Sequence, residues 1–156
     1  MDGPVDLVAA FRAHEARVFN YFRRMGAGRD SARDLSQETF LRAIQGARRF
    51  RGEAPVEVWL LGIARNVYRE WLRRRVPDPA TGEDDGVAEG PGPERLDVAR
   101  ALLALEPSHR EVLVLRFVLD LSGEEVAQLL GIGHDAVRQR VARAKAEFRR
   151  VWRGEV

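Results

Sequence analysis

From residue 4 to residue 75 the apolar positions recur at helical spacing, with no strand-like alternation among them. Leu7, Val8, Phe11, Val18, Tyr21, Phe22 and Met25 predict a first helix over 4–25, which Gly26 and Gly28 close. A second helix is expected from a cap at Asp30 or Ser31 to about Arg49. Its buried arc is Leu35, Thr39, Phe40, Ala43, Ile44 and Ala47, while Asp34, Gln37, Glu38, Leu41, Gln45 and Arg48 share the opposite one. A loop with Gly52 at its turn leads to Pro55, which suits the first turn of a third helix over about 56–76. There Leu60, Ala64, Val67 and Trp71 form an arc that can bury, widened by Leu61, Tyr68 and Leu72. The other arc carries Trp59, Gly62, Asn66, Arg69 and Arg73, with Arg65 beside it.

The pattern lapses at 77–94, a segment with four Pro, four Gly and no large hydrophobe beyond Val87. So little apolar surface cannot offset the entropy lost on ordering, and the segment reads as a linker between two small domains. Helical spacing resumes with Leu96, Ala99, Leu102, Leu103 and Leu105. Pro107 opens the next helix, with Val112, Leu113, Leu115 and Leu119 on its core face. Ser122 and Glu125 form a capping-box pattern in front of a short helix bearing Val126, Leu129 and Leu130. Gly131-Ile132-Gly133 makes a turn, and a last helix runs from about His134 to Trp152. Val137, Val141, Ala144, Phe148 and Val151 form its buried stripe; Arg138, Gln139, Arg143, Lys145, Arg149 and Arg150 take the other side. A short helix, a glycine turn and a longer basic helix make a helix-turn-helix. The expected fold is all-α: two small helical domains, 1–76 and 95–156, joined by a flexible acidic linker.

Charge sharpens this division. The net charge of the 156 residues is only +2, but residues 1–75 hold fifteen Arg against nine acidic residues, a balance of +6. Residues 76–94 hold six acids and no Arg or Lys, and residues 95–156 hold eleven basic against nine acidic groups. Two positive blocks around an acidic tether point to modules that bind a polyanion. Chemistry of other kinds finds no foothold. The chain has no cysteine, so disulfides, zinc knuckles and thiol nucleophiles are excluded. There is no Gly-rich phosphate loop, and His14, His109 and His134 lack ligand spacing. No catalytic residue, metal site or cofactor is expected. No apolar run approaches membrane-spanning length and the first residues lack a signal layout, so a cytoplasmic protein without membrane insertion is expected.

Two faces stand out. Trp59 shares its arc with arginines and an asparagine, and rings interleaved with cations suit single-stranded nucleic acid, whose bases stack while its phosphates pair. The alternative is a solvated basic face with a tryptophan packed under a neighbouring loop. Leu41, ringed by carboxylates and amides, is either a solitary surface leucine or part of a face that docks on another protein.

The order of these parts resembles a bacterial extracytoplasmic-function sigma factor of the sigma-70 family. DLSQETFLRA at 34–43, RFRGE at 49–53 and WLLGIARNVYREWLRRR at 59–75 look like its polymerase-docking and promoter-melting elements. ALLALEPSHREVLVLRF at 101–117, LSGEEVAQLLGI at 121–132 and VRQRVARAK at 137–145 are similar to its helix-turn-helix domain. The resemblance implies core RNA polymerase as a partner through its β′ and β subunits, with Asp34, Gln37, Glu38, Leu41 and Gln45 on the docking face. It implies that Phe50, Arg51, Trp59, Arg65, Asn66, Arg69 and Arg73 hold the unpaired −10 element. It further implies that Arg138, Gln139, Arg143, Lys145 and Arg149 contact the −35 element as duplex, and that an anti-sigma factor restrains the protein. Three positions depart from the family pattern. Gly133 stands where a Ser or Thr usually opens the last helix, Ala136 where a threonine is common, and Val56 where an aromatic usually precedes the melting helix. The rival expectation is a helix-turn-helix regulator that works without polymerase.

Overall fold

The computed structural model describes residues 6–75 and 93–154, all helix, turn or loop. Seven α-helices follow in chain order: α1 Leu7–Arg24, α2 Arg29–Gly46, α3 Val56–Arg74, α4 Pro93–Leu103, α5 Pro107–Leu113, α6 Gly123–Leu130 and α7 His134–Trp152. The linker expected at 77–94 lies outside the described residues as far as position 92, as do Val76 and the side chain of Leu96; α4 already includes Pro93 and Glu94.

In the first half α1, α2 and α3 pack around Val18, Tyr21, Phe22, Leu35, Phe40, Leu60, Leu61 and Val67, all buried. Each fully buried residue of this size contributes roughly 1.5–3 kcal/mol of apolar transfer. Several local expectations are corrected. α1 begins at Leu7 because Asp6 caps it, its carboxylate accepting from the Ala9 amide at 3.1 Å. α2 starts at Arg29, with Gly28 at the N-cap in place of Asp30 or Ser31: Gly28 is extended, and its carbonyl accepts from Ala32 at 2.7 Å. Asp30 sits inside the first turn instead, where its charge complements the helix dipole. Pro55 is the extended residue preceding α3, one place before the first turn. The second helix ends at Gly46 and tightens into a 3₁₀ turn at Ala47–Arg49.

Ile44 is 59% exposed, against its expected place in the core. It borders a groove of about 240 Å³ with Leu7, Val8 and Phe11, beside the first turns of α1, where no further described element covers it. Phe11, which lines this groove, meets Phe40 at 4.5 Å between ring centroids.

In the second half Leu102, Leu105, Val112, Leu115, Leu119, Leu121, Val126, Val137 and Ala144 form the core. The helix opened by Pro107 does not run evenly to Leu119. After Leu113 it widens into a π turn, Val114–Val118, with the Leu119 amide reaching Val114 O at 2.9 Å. Asp120 then closes the chain direction at φ 57°, the left-handed region that Asp tolerates. The wider turn leaves Phe117 48% exposed. The predicted capping box is present in both directions, with Ser122 N–H to Glu125 Oε1 at 2.9 Å and Glu125 N–H to Ser122 Oγ at 3.1 Å.

The two halves meet. α6 lies against α3, and α1 touches α4 and the π turn, so the two hydrophobic cores are continuous. Polar ties cross the junction: Tyr21 Oη donates to Glu111 Oε2 at 2.8 Å, Arg110 Nη1 to Met25 O at 3.1 Å, and Arg17 to Leu119 O. Composition alone gives no sign of this packing.

Candidate nucleic-acid interface

The 3₁₀ turn after α2 swings Phe50 back over α3, its amide held by Ala47 O at 3.2 Å. Phe50 and Trp59 stack there, ring centroids 4.6 Å apart and planes 29° from parallel. Trp59 is thus half-buried under the loop while still forming the floor of an open cleft of about 550 Å³. Arg49, Phe50, Arg51, Trp59, Arg65 and Asn66 line it. Five of the seven residues expected to hold a single strand therefore converge on one cleft. Arg69 and Arg73 do not line it; they are exposed further along α3. Gly62 lines the cleft beside Trp59 and leaves it open, with free space where a Cβ would project.

Arg65 has a partner that sequence reading missed. Its Nε lies 3.1 Å from both oxygens of Glu111, a carboxylate on α5 that is 7% exposed. The same carboxylate accepts from Tyr21, whose phenol is pushed well above its ordinary range, first by burial and then by the nearby Glu111 charge. The cleft also has a wall from the other half: Gln128 and Leu129 of α6 line it, and Gln128 Nε2 donates to Glu53 O at 3.1 Å. The available signal for Glu111 was a lone carboxylate next to Val112 on an otherwise apolar helix face. Nothing in the spacing pairs it with Arg65, 46 positions away.

On α2, Asp34, Gln37, Leu41 and Gln45 are exposed together, with Leu41 at 50%. Glu38 is more constrained. It accepts from Arg42 Nε at 3.0 Å, and Arg42 also grips Glu70 of α3 at 2.6 and 3.2 Å. That guanidinium hydrogen bond is the main reason the Glu70 carboxyl lies below its usual range. The face expected to dock on polymerase is thus tied to α3 through the Arg42 clamp.

On α7, Arg138 and Gln139 are exposed near the start of the helix and Arg143 at its middle, and Arg138 pairs with Asp135 one turn before it. Gly133 is the N-cap and offers no side-chain acceptor. Lys145 and Arg149 lie further along. Lys145 sits over the Phe117 ring, 4.8 Å from its centroid, and with Arg149 rims an apolar groove of about 350 Å³ floored by Leu102, Leu113, Phe117 and Phe148. Of the five residues expected at duplex DNA, Arg138 and Gln139 lie in the first two turns of α7, Arg143 at its middle, and Lys145 and Arg149 beside this groove.

A half with an aromatic-cationic cleft is followed by a half built as a helix-turn-helix, the two-part arrangement expected from the sequence. The model of Sigma-70 region 2 matches residues 10–76, and that of Sigma-70 region 4 matches residues 95–148. The chain is 30% identical over 152 residues to the RNA polymerase sigma factor YlaC of Bacillus subtilis, covering 90% of this chain and 88% of that protein. It is 33% identical over 150 residues to the ECF RNA polymerase sigma factor SigE of Mycolicibacterium smegmatis, of which it spans 58%. Among solved structures it superposes on CnrH, held in complex with the cytosolic domain of CnrY, with a TM-score of 0.77 and 26% identity over 96% of this chain and 89% of that one. The chain belongs to the extracytoplasmic-function sigma factors of the sigma-70 family.

Proposed function

We propose that this protein binds core RNA polymerase, recognises −35 and −10 promoter elements, and melts the −10 region to start transcription. The observation that carries this reading is the convergence of Phe50, Arg51, Trp59 and Asn66 on one cleft in the half that also exposes the Leu41 face. Leu41 with Asp34, Gln37, Glu38 and Gln45 docks on the β′ subunit. The apolar groove under Phe117 and Phe148, rimmed by Lys145 and Arg149, gives the second half a contact with the β subunit. Arg138, Gln139 and Arg143 in the first half of α7 read the −35 duplex, where Arg and Gln suit guanine and adenine edges.

The work is done by binding energy. Each half offers few contacts, so free protein binds promoter DNA weakly. Held on polymerase through the 77–94 tether, the two act at high effective concentration. Bases stacking in the cleft offset an unstacking cost of roughly a few kcal/mol, so opening needs no nucleotide hydrolysis. An anti-sigma factor covers the same faces in the resting cell.

Run-off transcription with core polymerase on a library of random promoters tests the proposal. Transcripts sharing a −35 and a −10 motif are expected. Specific duplex binding with no transcript would favour the polymerase-independent regulator, and neither would overturn both.

A further inference from the structure

Glu38, a carboxylate on the face proposed to dock on polymerase, does not swing freely. Its side chain is 42% exposed, yet Oε1 accepts from Arg42 Nε at 3.0 Å. A Glu–Arg pair one turn apart on an exposed helix is by itself loosely held. Here the guanidinium is fixed from its other end: Nη1 and Nη2 donate to the two oxygens of Glu70 on α3, at 2.6 and 3.2 Å. A forked grip on a carboxylate sets the plane of the guanidinium, and Nε is then the edge left for Glu38. The two carboxylates hold the Arg42 proton more firmly than usual, the Glu70 bond contributing more than the Glu38 one.

We propose that Arg42 is a positioning residue for polymerase docking: anchored on Glu70, it holds the Glu38 carboxylate in one orientation on α2, ready for a cationic group of the polymerase. This rests on reading the Leu41 face as the docking surface. The arrangement leaves room for that partner. A carboxylate accepts up to about four hydrogen bonds, so the bond through Oε1 does not exhaust Glu38. One guanidinium between two carboxylates leaves a net negative charge, which still attracts a cation. A long side chain ordered before binding loses less freedom when the partner arrives, so Glu70 assists docking from a helix that lies outside the docking face.

The test measures affinity of the full-length chain for core polymerase across a double-mutant cycle. Glu70→Ala removes the anchor on α3; Glu70 neither belongs to the docking face nor lines the cleft. It is expected to weaken binding about three- to tenfold, the effect of leaving a long side chain to be ordered on association. Added to Glu38→Gln, which itself weakens binding, Glu70→Ala should cost nothing further, because it acts only through Glu38. Arg42→Lys keeps the charge without the fork and should fall with Glu70→Ala. Glu15→Ala makes the same change in net charge as Glu70→Ala on the exposed side of α1 and should bind as the parent chain does. Parent-like binding by Glu70→Ala or Arg42→Lys, a Glu70→Ala loss that persists in full beside Glu38→Gln, or an equal loss in Glu15→Ala would overturn the positioning role while leaving the docking face in place. Parent-like binding by Glu38→Gln would instead remove Glu38 from the docking face, and the proposal with it.

Discussion

Trp59 and Asn66 share a cleft but hold it in different ways, and that difference makes separate predictions. Trp59 is stacked on Phe50, so Trp59→Ala removes a base platform and the loop's anchor together. Loss of one stacking platform costs about 1–3 kcal/mol of single-strand binding. Asn66 is exposed and lines the cleft, so Asn66→Ala removes an amide with little effect on packing. Both variants should lower permanganate reactivity of −10 thymines in the open complex while −35 footprints persist, with only Trp59→Ala also lowering the melting temperature. Equal loss of both footprints would remove these residues from the −10 site. On the docking face Leu41→Asp is the clean probe. It should abolish co-purification with core polymerase without changing helix content. Glu38→Lys should impair the same step but also unsettle the Arg42 clamp to Glu70, so its effect is compound. Exposure of Leu41 was legible from its polar ring of neighbours. The Arg42 bridge was not, because its partner lies on another helix, 28 positions along the chain.

Among the elements, the helices themselves were legible because each carries a 3.6-residue apolar stripe, and the capping box was legible because both of its partners lie within four residues. What failed was what periodicity cannot carry. A stripe shows which arc is apolar but not how far a neighbour reaches along it, and Ile44 falls beyond the reach of α1. Nor does it foretell the π turn at Val114–Val118, where a backbone hydrogen bond reaches one residue further back than in an α-helix. The missing cap at Gly133 was legible and has a consequence for stability. Gly133 has an extended backbone, φ −71° and ψ 158°, and open space where a Cβ would stand. Gly133→Ser can therefore cap α7 without strain and should stabilise the protein by a few tenths of a kcal/mol. A rise in the midpoint of urea unfolding at unchanged slope would show it; a fall would mean that the turn into α7 depends on a bare backbone.

For the whole molecule, the junction between the halves carries its own spectroscopic reporter. The chain has two tyrosines, and both lie there: Tyr21 donates to Glu111, and Tyr68 donates to Met25 O at 2.9 Å, the carbonyl that also accepts from Arg110. Burial is the leading cause that raises both phenols above the ordinary value of 10.0. For Tyr21 the Glu111 charge adds to the rise and Arg65 opposes it; for Tyr68 Arg110 and Arg75 oppose it while Glu111 adds. A phenol whose pKa is raised in the packed state favours that state fully below its unpacked pKa, and the advantage is lost as pH rises through the packed value. The packed arrangement should therefore keep its full phenol contribution at neutral pH and weaken only in alkali. Absorbance at 295 nm should stay flat through pH 10 and rise for both tyrosines only in stronger alkali. In Glu111→Gln the Tyr21 step should move to lower pH, because a neutral amide no longer repels the phenolate. A tyrosine that ionises near pH 10 would place at least one phenol in water and contradict the packed junction between the halves.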